Sequence, residues 1–470
     1  MSRASNLAGF TTAIGVPANL NVGIITATSF SGDGSALTGT GVGTDGSINT
    51  SGIITATSFS GDGSALTGIE SGIGTDANVD TTGIITATTI KVSAGGSFSV
   101  NGQLYPNEGQ LSDRNIVING AMNIAQRGTT ATASFTAGYA CDRWGGKASG
   151  GSVGLSQVAL GVTESPGLEG HRHYLRMTNT TGTTGMEDYR YVEQSIESRD
   201  IVSSGWKYYS PTSFVTLSFW ARASVSADFG LLFEAYDPNP DRDYVLPLYS
   251  LTANTWTKFT YHIPGNALNT FADDNSKGLV LRFFQFYGSM FGENTTGYSQ
   301  WKNASWNQIT TSAMGTAWSG TNGATWDLTG VQLEVGDLAT RFDHMPFYKE
   351  IEKCKRFYQK TYNYETALGS ITKVGAYLHV SNYSSTDGSR VPVRFEKEMV
   401  KAPTVTVYAT ESGTSGSLSA NNAGGGAFQD QNAGAHHIGT KGIGYVFLNA
   451  GGISNAYNSL YFHYSADAEL

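Results

Sequence analysis

Four oxygen-bearing side chains alternate in the stretch YDPNPDRDY: Asp237, Asn239, Asp241 and Asp243. A calcium loop of the helix–loop–helix kind begins with this ligand spacing. Its sixth position needs glycine for a sharp turn and its twelfth a bidentate glutamate, whereas this chain has Arg242 and Leu248 there. The stretch therefore reads as a Pro/Asp-rich turn. His171 and His173 form a second set, since imidazoles two apart on one strand face can share a metal. The alternative is that both simply flank the strand HYLRMTN on a sheet surface. His436 and His437 are adjacent, which on a strand points them to opposite faces.

For catalysis nothing converges. Asp and Glu are scattered, and no H-E-x-x-H pair occurs. Cys141 and Cys354 are too few for a four-ligand zinc site and read as two buried free thiols, with a single bridge as the alternative. The Asp142-Arg143 pair beside Trp144 reads as an ion pair fixing a loop. Flat aromatic rings suit glycans, because a ring stacks on the apolar face of a sugar while polar neighbours hold its hydroxyls. Trp301, Trp306 and Trp318 lie in a Ser/Thr/Asn/Gly-rich stretch outside the clear strands and are the ligand-binding candidates. Core packing is equally open to them. Trp220 and Trp326 lie within strands and are assigned to the core. No cofactor is implied.

The elements that would position these residues are almost all strands. The 470-residue chain has 22 Phe, 24 Tyr and 8 Trp but only 14% charged residues, a composition for packed β structure in several modules. Its net charge of −9 comes without any Lys/Arg run, so nucleic acid is not an expected partner. The opening MSRASNLAGFTTAIG lacks the apolar stretch of a secretory signal.

GIITATSFSGDGSALTG occupies residues 23–39 and recurs unchanged at 52–68; a third copy begins at Gly83 and diverges. Such a period signals an array. Each copy alternates like a strand but carries few large apolar side chains, so one chain alone cannot bury enough surface to offset its ordering entropy. Identical neighbouring chains would supply the missing core. From 113 to 345 the composition shifts and all eight tryptophans appear. FVTLSFWARA, TWTKFTYHIP, LVLRFFQFY and WDLTGVQLEVG alternate between turn signals and read as a β-sandwich. FYKEIEKCKRFYQ after Pro346 reads as a helix whose apolar stripe is Phe347, Ile351, Cys354 and Tyr358. AYLHV, KAPTVTVYA, IGYVFLNA and SLYFHYSADAEL then predict a small all-β module, with a Gly-rich loop over 413–434.

The repeat resembles the shaft repeats of bacteriophage tail-fibre proteins, notably those of phages infecting marine cyanobacteria. NIVINGAMNIAQRGTT (115–130) with YACDRW (139–144) resembles the opening of a sandwich module common in phage fibres, and WDLTGVQLEVGDLATRFDHMPFYKEIEKCKRFYQ (326–359) resembles its end. VPVRFEKEMVKAPTVTVYA (391–409) and YFHYSADAEL look like a fibre tip. The resemblance implies a mainly β homotrimer. Its parts would be a virion-attachment segment (1–22), a trimeric β-repeat shaft (23–112), a jelly-roll-like β-sandwich akin to carbohydrate-binding modules (113–345), a short helical connector (346–365) and a small all-β distal tip (366–470). It further implies a virion location after assembly in the infected bacterial cytoplasm. The implied partners are other virion proteins at the N-terminus and a host surface glycan or outer-membrane receptor. In a trimer, His171 and His173 of three chains would bring six imidazoles to one axis. The sequence departs from the family in having only two full repeats and no recognisable attachment domain over 1–22. Attachment to a host receptor is the leading expectation. A structural decoration of head, neck or tail that binds other virion proteins is the second, and a polysaccharide-cleaving spike the third.

Overall fold

A computed structural model describes residues 99–100, 103–105 and 111–470, apart from 237–241, 293–296, 304–308, 311, 381–389, 423–426 and 449–456. The attachment segment, the repeats, Trp306 and most of the calcium-like stretch (237–241) lie outside the described residues. Residues 89–470 form one compact unit. Strand makes up 46% and helix 8%, so the mainly β expectation holds.

After a hairpin of β1 (Ser99–Val100) and β2 (Gln103–Leu104), two antiparallel sheets pack face to face. The first has the order β13-β9-β16-β7-β6-β3: β3 (Thr130–Ala133), β6 (Val153–Ala159), β7 (His173–Asn179), β9 (Phe214–Ala223), β13 (Thr257–Pro264) and β16 (Thr325–Val335). The second has the order β15-β11-β10-β14-β8-β5-β4, with β12 (Tyr249–Leu251) also on β10. Its strands are β4 (Gly138–Cys141), β5 (Trp144–Ala148), β8 (Tyr189–Glu197), β10 (Ala227–Ala235), β11 (Arg242–Val245), β14 (Lys277–Tyr287) and β15 (Trp301–Asn303). Two-residue alternation sets the core: Val215, Leu217, Phe219 and Ala221 of β9 meet Leu279, Leu281 and Phe283 of β14, with Trp144 and Trp326 between. Three short helices, α1 (Ser165–Leu168), α2 (Ser198–Ser203) and α3 (Thr316–Ser319), lie in the connections.

In β16 the inward parity changes midway. Trp326 and Leu328 face the core, then Val331, Leu333 and Val335 do. The switch is a bulge against β9 between Thr329 and Gln332, where Gly330 takes φ 63°. The 115–130 segment is built to dock here. Ile116 N donates to Leu333 O, Val331 N to Gly120 O, and Asn115 Nδ2 to Val331 O, all at 2.9–3.0 Å. A side chain at Gly120 would put Cβ 2.0 Å from Val331 O. Asn119, at φ 58°, bonds the backbone of Ile124 and Asp142 through its amide, and its carbonyl accepts from Trp144 Nε1.

The helix after Pro346 is shorter than its apolar stripe predicts. It ends as α4 (Phe347–Cys354), and Tyr358 begins a strand, β17 (Tyr358–Lys360). The reason is tertiary: β17 pairs with the last strand, β24 (Tyr457–Asp467). Phe347, at the head of the stripe, is 51% exposed. β24 also pairs with β18 (Tyr377–Val380), β20 (Thr404–Ala409) and β21 (Ser417–Asn422), and so organises the distal module. The predicted Gly-rich loop over 413–434 is largely strand, in β21 and β22 (Gln429–Gly439). β22 pairs with β21 over its first half and with β23 (Gly442–Leu448) over its second; β23 in turn holds β19 (Arg390–Arg394).

The sandwich and distal module share a core. Ile118 and Ile124 from the 115–130 segment pack with Cys354, Phe357, Leu460 and Phe462. Both cysteines are buried and free, as expected. Asp142 and Arg143, expected to pair with each other, instead have separate partners. Asp142 takes Arg127 (3.6 Å) and Gln126 (2.6 Å). Arg143 takes Glu469 and the carbonyl of Ser195, with its guanidinium 3.3 Å from the centre of the Phe357 ring. Burial pushes the Asp142 carboxyl up, with Arg127 and Gln126 pulling against it.

Candidate functional site

The outer face of the six-stranded sheet carries a row of cations, carboxylates and rings, because every second residue of β7, β16 and β9 points there. Arg176 on β7 and Arg222 on β9 both bind the buried Asp327 of β16, at 2.7 and 2.9 Å. Arg222 reaches Glu164 at 2.8 Å, and Trp256 Nε1 donates to the same carboxylate oxygen at 2.8 Å. The Trp256 ring meets Tyr174 edge-on at 5.5 Å, with the Arg222 guanidinium 4.6 Å from its centre. Trp220 Nε1 donates to Glu169 at 3.1 Å, and Lys258, its cross-strand neighbour, bonds that carboxylate at 2.9 Å. Glu164 and Glu169 flank α1, so this short helix is tied to the sheet through two indoles. Burial acts to raise both carboxyls, but the indole N–H groups and the cations hold them below the usual range.

Trp220 and Trp256 are half-buried. Each ring is fixed by its N–H and stays partly exposed, with Lys258 cross-strand from Trp220 and exposed Thr260 and His262 further along β13 on the same face. An arrangement of this kind can stack a sugar and bond its hydroxyls. Among the described residues, the centre of the opposite sheet is closed. There Arg282, 4% exposed, is clamped by Glu193 and Glu234, and Phe291, Ile309 and Met314 cover Tyr191, Phe284 and Tyr287.

Trp220 is thus not the core residue expected of it. Its neighbours carried the signal: Phe219, Leu217 and Val215 take one face of β9, leaving Trp220 and Arg222 on the other. Trp326 does sit in the core. Of the tryptophans read as ligand-binding, Trp318 on α3 is fully buried in the main core and has no ring face left for a sugar. Trp301 on β15 is half-buried against Phe233 and Tyr244, with its N–H on Pro264 O at 2.8 Å.

The two candidate metal histidines differ in surroundings. His171 is 1% exposed, before the strand, against Phe342 and His344 at ring distances of 4.7 and 5.1 Å. His173 opens β7 and shares a hydrogen bond with Asn123 at 3.0 Å. Among the described residues no group of three or more His, Cys, Asp or Glu is placed to hold a metal. Asp243 is buried in β11. His436 and His437, expected on opposite faces, both meet the ring of Tyr445, at 5.2 and 5.3 Å, because His437 adopts φ 55° and drops out of the pairing register.

No family model and no curated protein matches the sequence. Among solved structures, the chain is similar to the enzymatically active domain of tailspike protein 4 from bacteriophage CBA120, at 11% identity and a TM-score of 0.26. That match covers 47% of this chain and only 22% of the tailspike's length. The chain is also similar to the CBM22-1 xylan-binding domain of Paenibacillus barcinonensis Xyn10C, at 13% identity and TM-score 0.25, over 48% of this chain and 98% of that one. The tandem CBM22-1–CBM22-2 domain of the same protein matches at 10% identity and TM-score 0.25, over 78% and 98%.

Proposed function

We propose that the chain is a homotrimeric fibre protein of a bacteriophage virion that attaches the particle to a host-surface glycan, and that it acts by binding rather than as an enzyme. The observation that carries the reading is the fixed pair of half-buried indoles, Trp220 and Trp256, among charged groups on the outer face of the sandwich. A repeat array that cannot bury a core by itself, followed by such a rigid unit, suits a fibre whose N-terminus holds other virion proteins. Three copies would add avidity, so weak single sites suffice to hold a particle.

A second reading, structural decoration through contacts with other virion proteins, has its own support. Ile371, Val374, Leu378 and Val380 of the distal module are each more than half exposed, and exposed apolar side chains suit a protein partner.

The test is to add labelled full-length protein to marine cyanobacterial cells before infection, beside Trp220→Ala, Trp256→Ala and a trimerised fragment of 113–470. Glycan attachment predicts binding that blocks infection, that extracted surface polysaccharide competes away, and that falls about tenfold in each variant, as loss of a stacking ring does. The fragment should retain it. Binding by the full chain but not by the fragment would move the recognition surface elsewhere. Release of sugar fragments during incubation would replace the binding reading with an enzymatic one.

A further inference from the structure

Between the sandwich and the distal module lies an open cleft of about 720 Å³. We propose that this cleft binds an acidic saccharide, its carboxylate at Arg172 and a sugar ring against Phe347. The inference goes beyond surface attachment through the indole face and concerns a separate site.

The cleft differs from that face in having unspent polar capacity. On the indole face every arginine already holds a carboxylate. Arg172 is exposed and donates only through Nη1, to the carbonyls of Gly167 (3.3 Å) and His171 (2.9 Å). Among the described residues its Nε and Nη2 have no protein partner, and no carboxylate pairs with it. A planar guanidinium with free donors is the group that takes a carboxylate in two parallel bonds.

The facing wall comes from the distal side. Phe347 is 51% exposed, yet its orientation is fixed: Tyr364 meets it edge-on at 5.3 Å, and the Tyr364 hydroxyl is held by Ala125 N at 2.8 Å. Lys360 Nζ donates to the carbonyls of Tyr364 (3.0 Å) and Thr366 (2.7 Å), which fixes the loop that closes this wall. The exposed Glu365 carboxylate acts on Lys360 through its charge but shows no hydrogen bond among the described residues, and it can accept from sugar hydroxyls.

The electrostatic balance selects among ligands. In a chain of net charge −9, this lining holds two cations, Arg172 and Lys360, against the one carboxylate of Glu365. A single negative charge completes it. A neutral sugar would leave Arg172 unused, while a polyphosphate would bring more charge than two cations balance. The cleft volume falls in the range of small-ligand sites and admits a short oligosaccharide.

Titration calorimetry on the full-length protein at pH 7.5 tests this with two sugars of one carboxylate each, cellobiouronic acid and sialyllactose, their methyl esters, and inorganic phosphate. The acidic sugars should bind about tenfold more tightly than their esters, the scale of one charge-assisted contact. Arg172→Gln should abolish that preference. Phe347→Ala should weaken acid and ester alike. Both cleft side chains are exposed, and an unchanged near-ultraviolet spectrum confirms the fold of each variant. Equal binding of acid and ester, an unaffected Arg172→Gln, displacement by equimolar phosphate, or no binding of either acid would each overturn the proposal. The readout needs neither virus nor cell, so it stands or falls separately from attachment.

Discussion

His171 is buried against Phe342 and His344 with both ring nitrogens lacking a hydrogen-bond partner among the described residues. Burial first, then the neighbouring His344, lowers its pKa to about 4, with Glu169 opposing and Lys258 and Arg172 adding to the drop. The unfolded chain, near the ordinary value of 6.5, therefore binds more protons between pH 6.5 and 4. Stability contributed by neutral His171 is complete above that window and is lost as the pH falls through it. Denaturant titrations should show native protein losing about 2 kcal/mol more than His171→Leu between pH 7.5 and 5. Asp142, Glu197, Asp200 and Glu350, whose carboxyls are raised mainly by burial, act with the opposite sign, so the difference between the two proteins is the informative quantity. Identical slopes would mean that His171 is hydrated or already charged in the fold.

Among elements, β24 connects more of the structure than any other strand of the distal module. Among the described strands β17, β18 and β20 pair with β24 and are joined by it to the β21-β22-β23-β19 run, and the residues after it carry the clamp to the sandwich. Glu469, 8% exposed at its side chain, meets Arg143, 1% exposed, and also Arg127 at 3.3 Å. Arg127 in turn lies 4.6 and 3.9 Å from the ring centres of Tyr139 and Tyr358. Removing one partner of a buried pair typically costs about 3–5 kcal/mol, because the remaining charge is left unsolvated. Glu469→Gln should accordingly destabilise the distal module by a few kcal/mol and accelerate amide exchange in β17 and β24. The double change Arg143→Met with Glu469→Met should recover much of the loss. If exchange in those strands stays native in Glu469→Gln, the clamp is not what holds the module down.

At the scale of the molecule, the sandwich and distal module are mutually dependent to unequal degrees. The sandwich has its own large core, but the distal core is completed by Ile118 and Ile124 from the sandwich's opening segment. A fragment of 111–345 should keep a native near-ultraviolet spectrum while the amides of Asn119 and Ala125, which lose Glu350 and the Tyr364 hydroxyl, exchange faster. A fragment of 346–470 should be molten, lacking both isoleucines, Arg127 and Arg143. A cooperatively folded 346–470 fragment would contradict the shared core. The full chain should scatter light as three copies at micromolar concentration, because its repeats cannot bury a core alone; a well-folded monomer would remove the fibre reading.

Alternation alone determined the long strands. FVTLSFWARA and HYLRMTN coincide with β9 and β7, and the buried thiols follow from Cys354 lying on an apolar stripe and from the scarcity of cysteine. Alternation put Trp220 on the parity of Arg222, opposite Phe219, but an indole is compatible with either face, so its type alone pointed wrongly to the core. It could not foresee where the helix stops, because β24, about a hundred residues later in the chain, claims Tyr358. The Gly-rich run over 413–434 looked like a loop because glycine weakens strand propensity locally, but pairing with neighbouring strands overrides that preference. The partners of Asp142 and Arg143 were equally out of reach: Gln126 and Arg127 meet Asp142 only once the 115–130 segment docks, and Glu469 meets Arg143 only once the residues after β24 fold back on the sandwich. Periodicity is a local property and fixes the elements; long-range pairing decides which faces, charges and clefts those elements create.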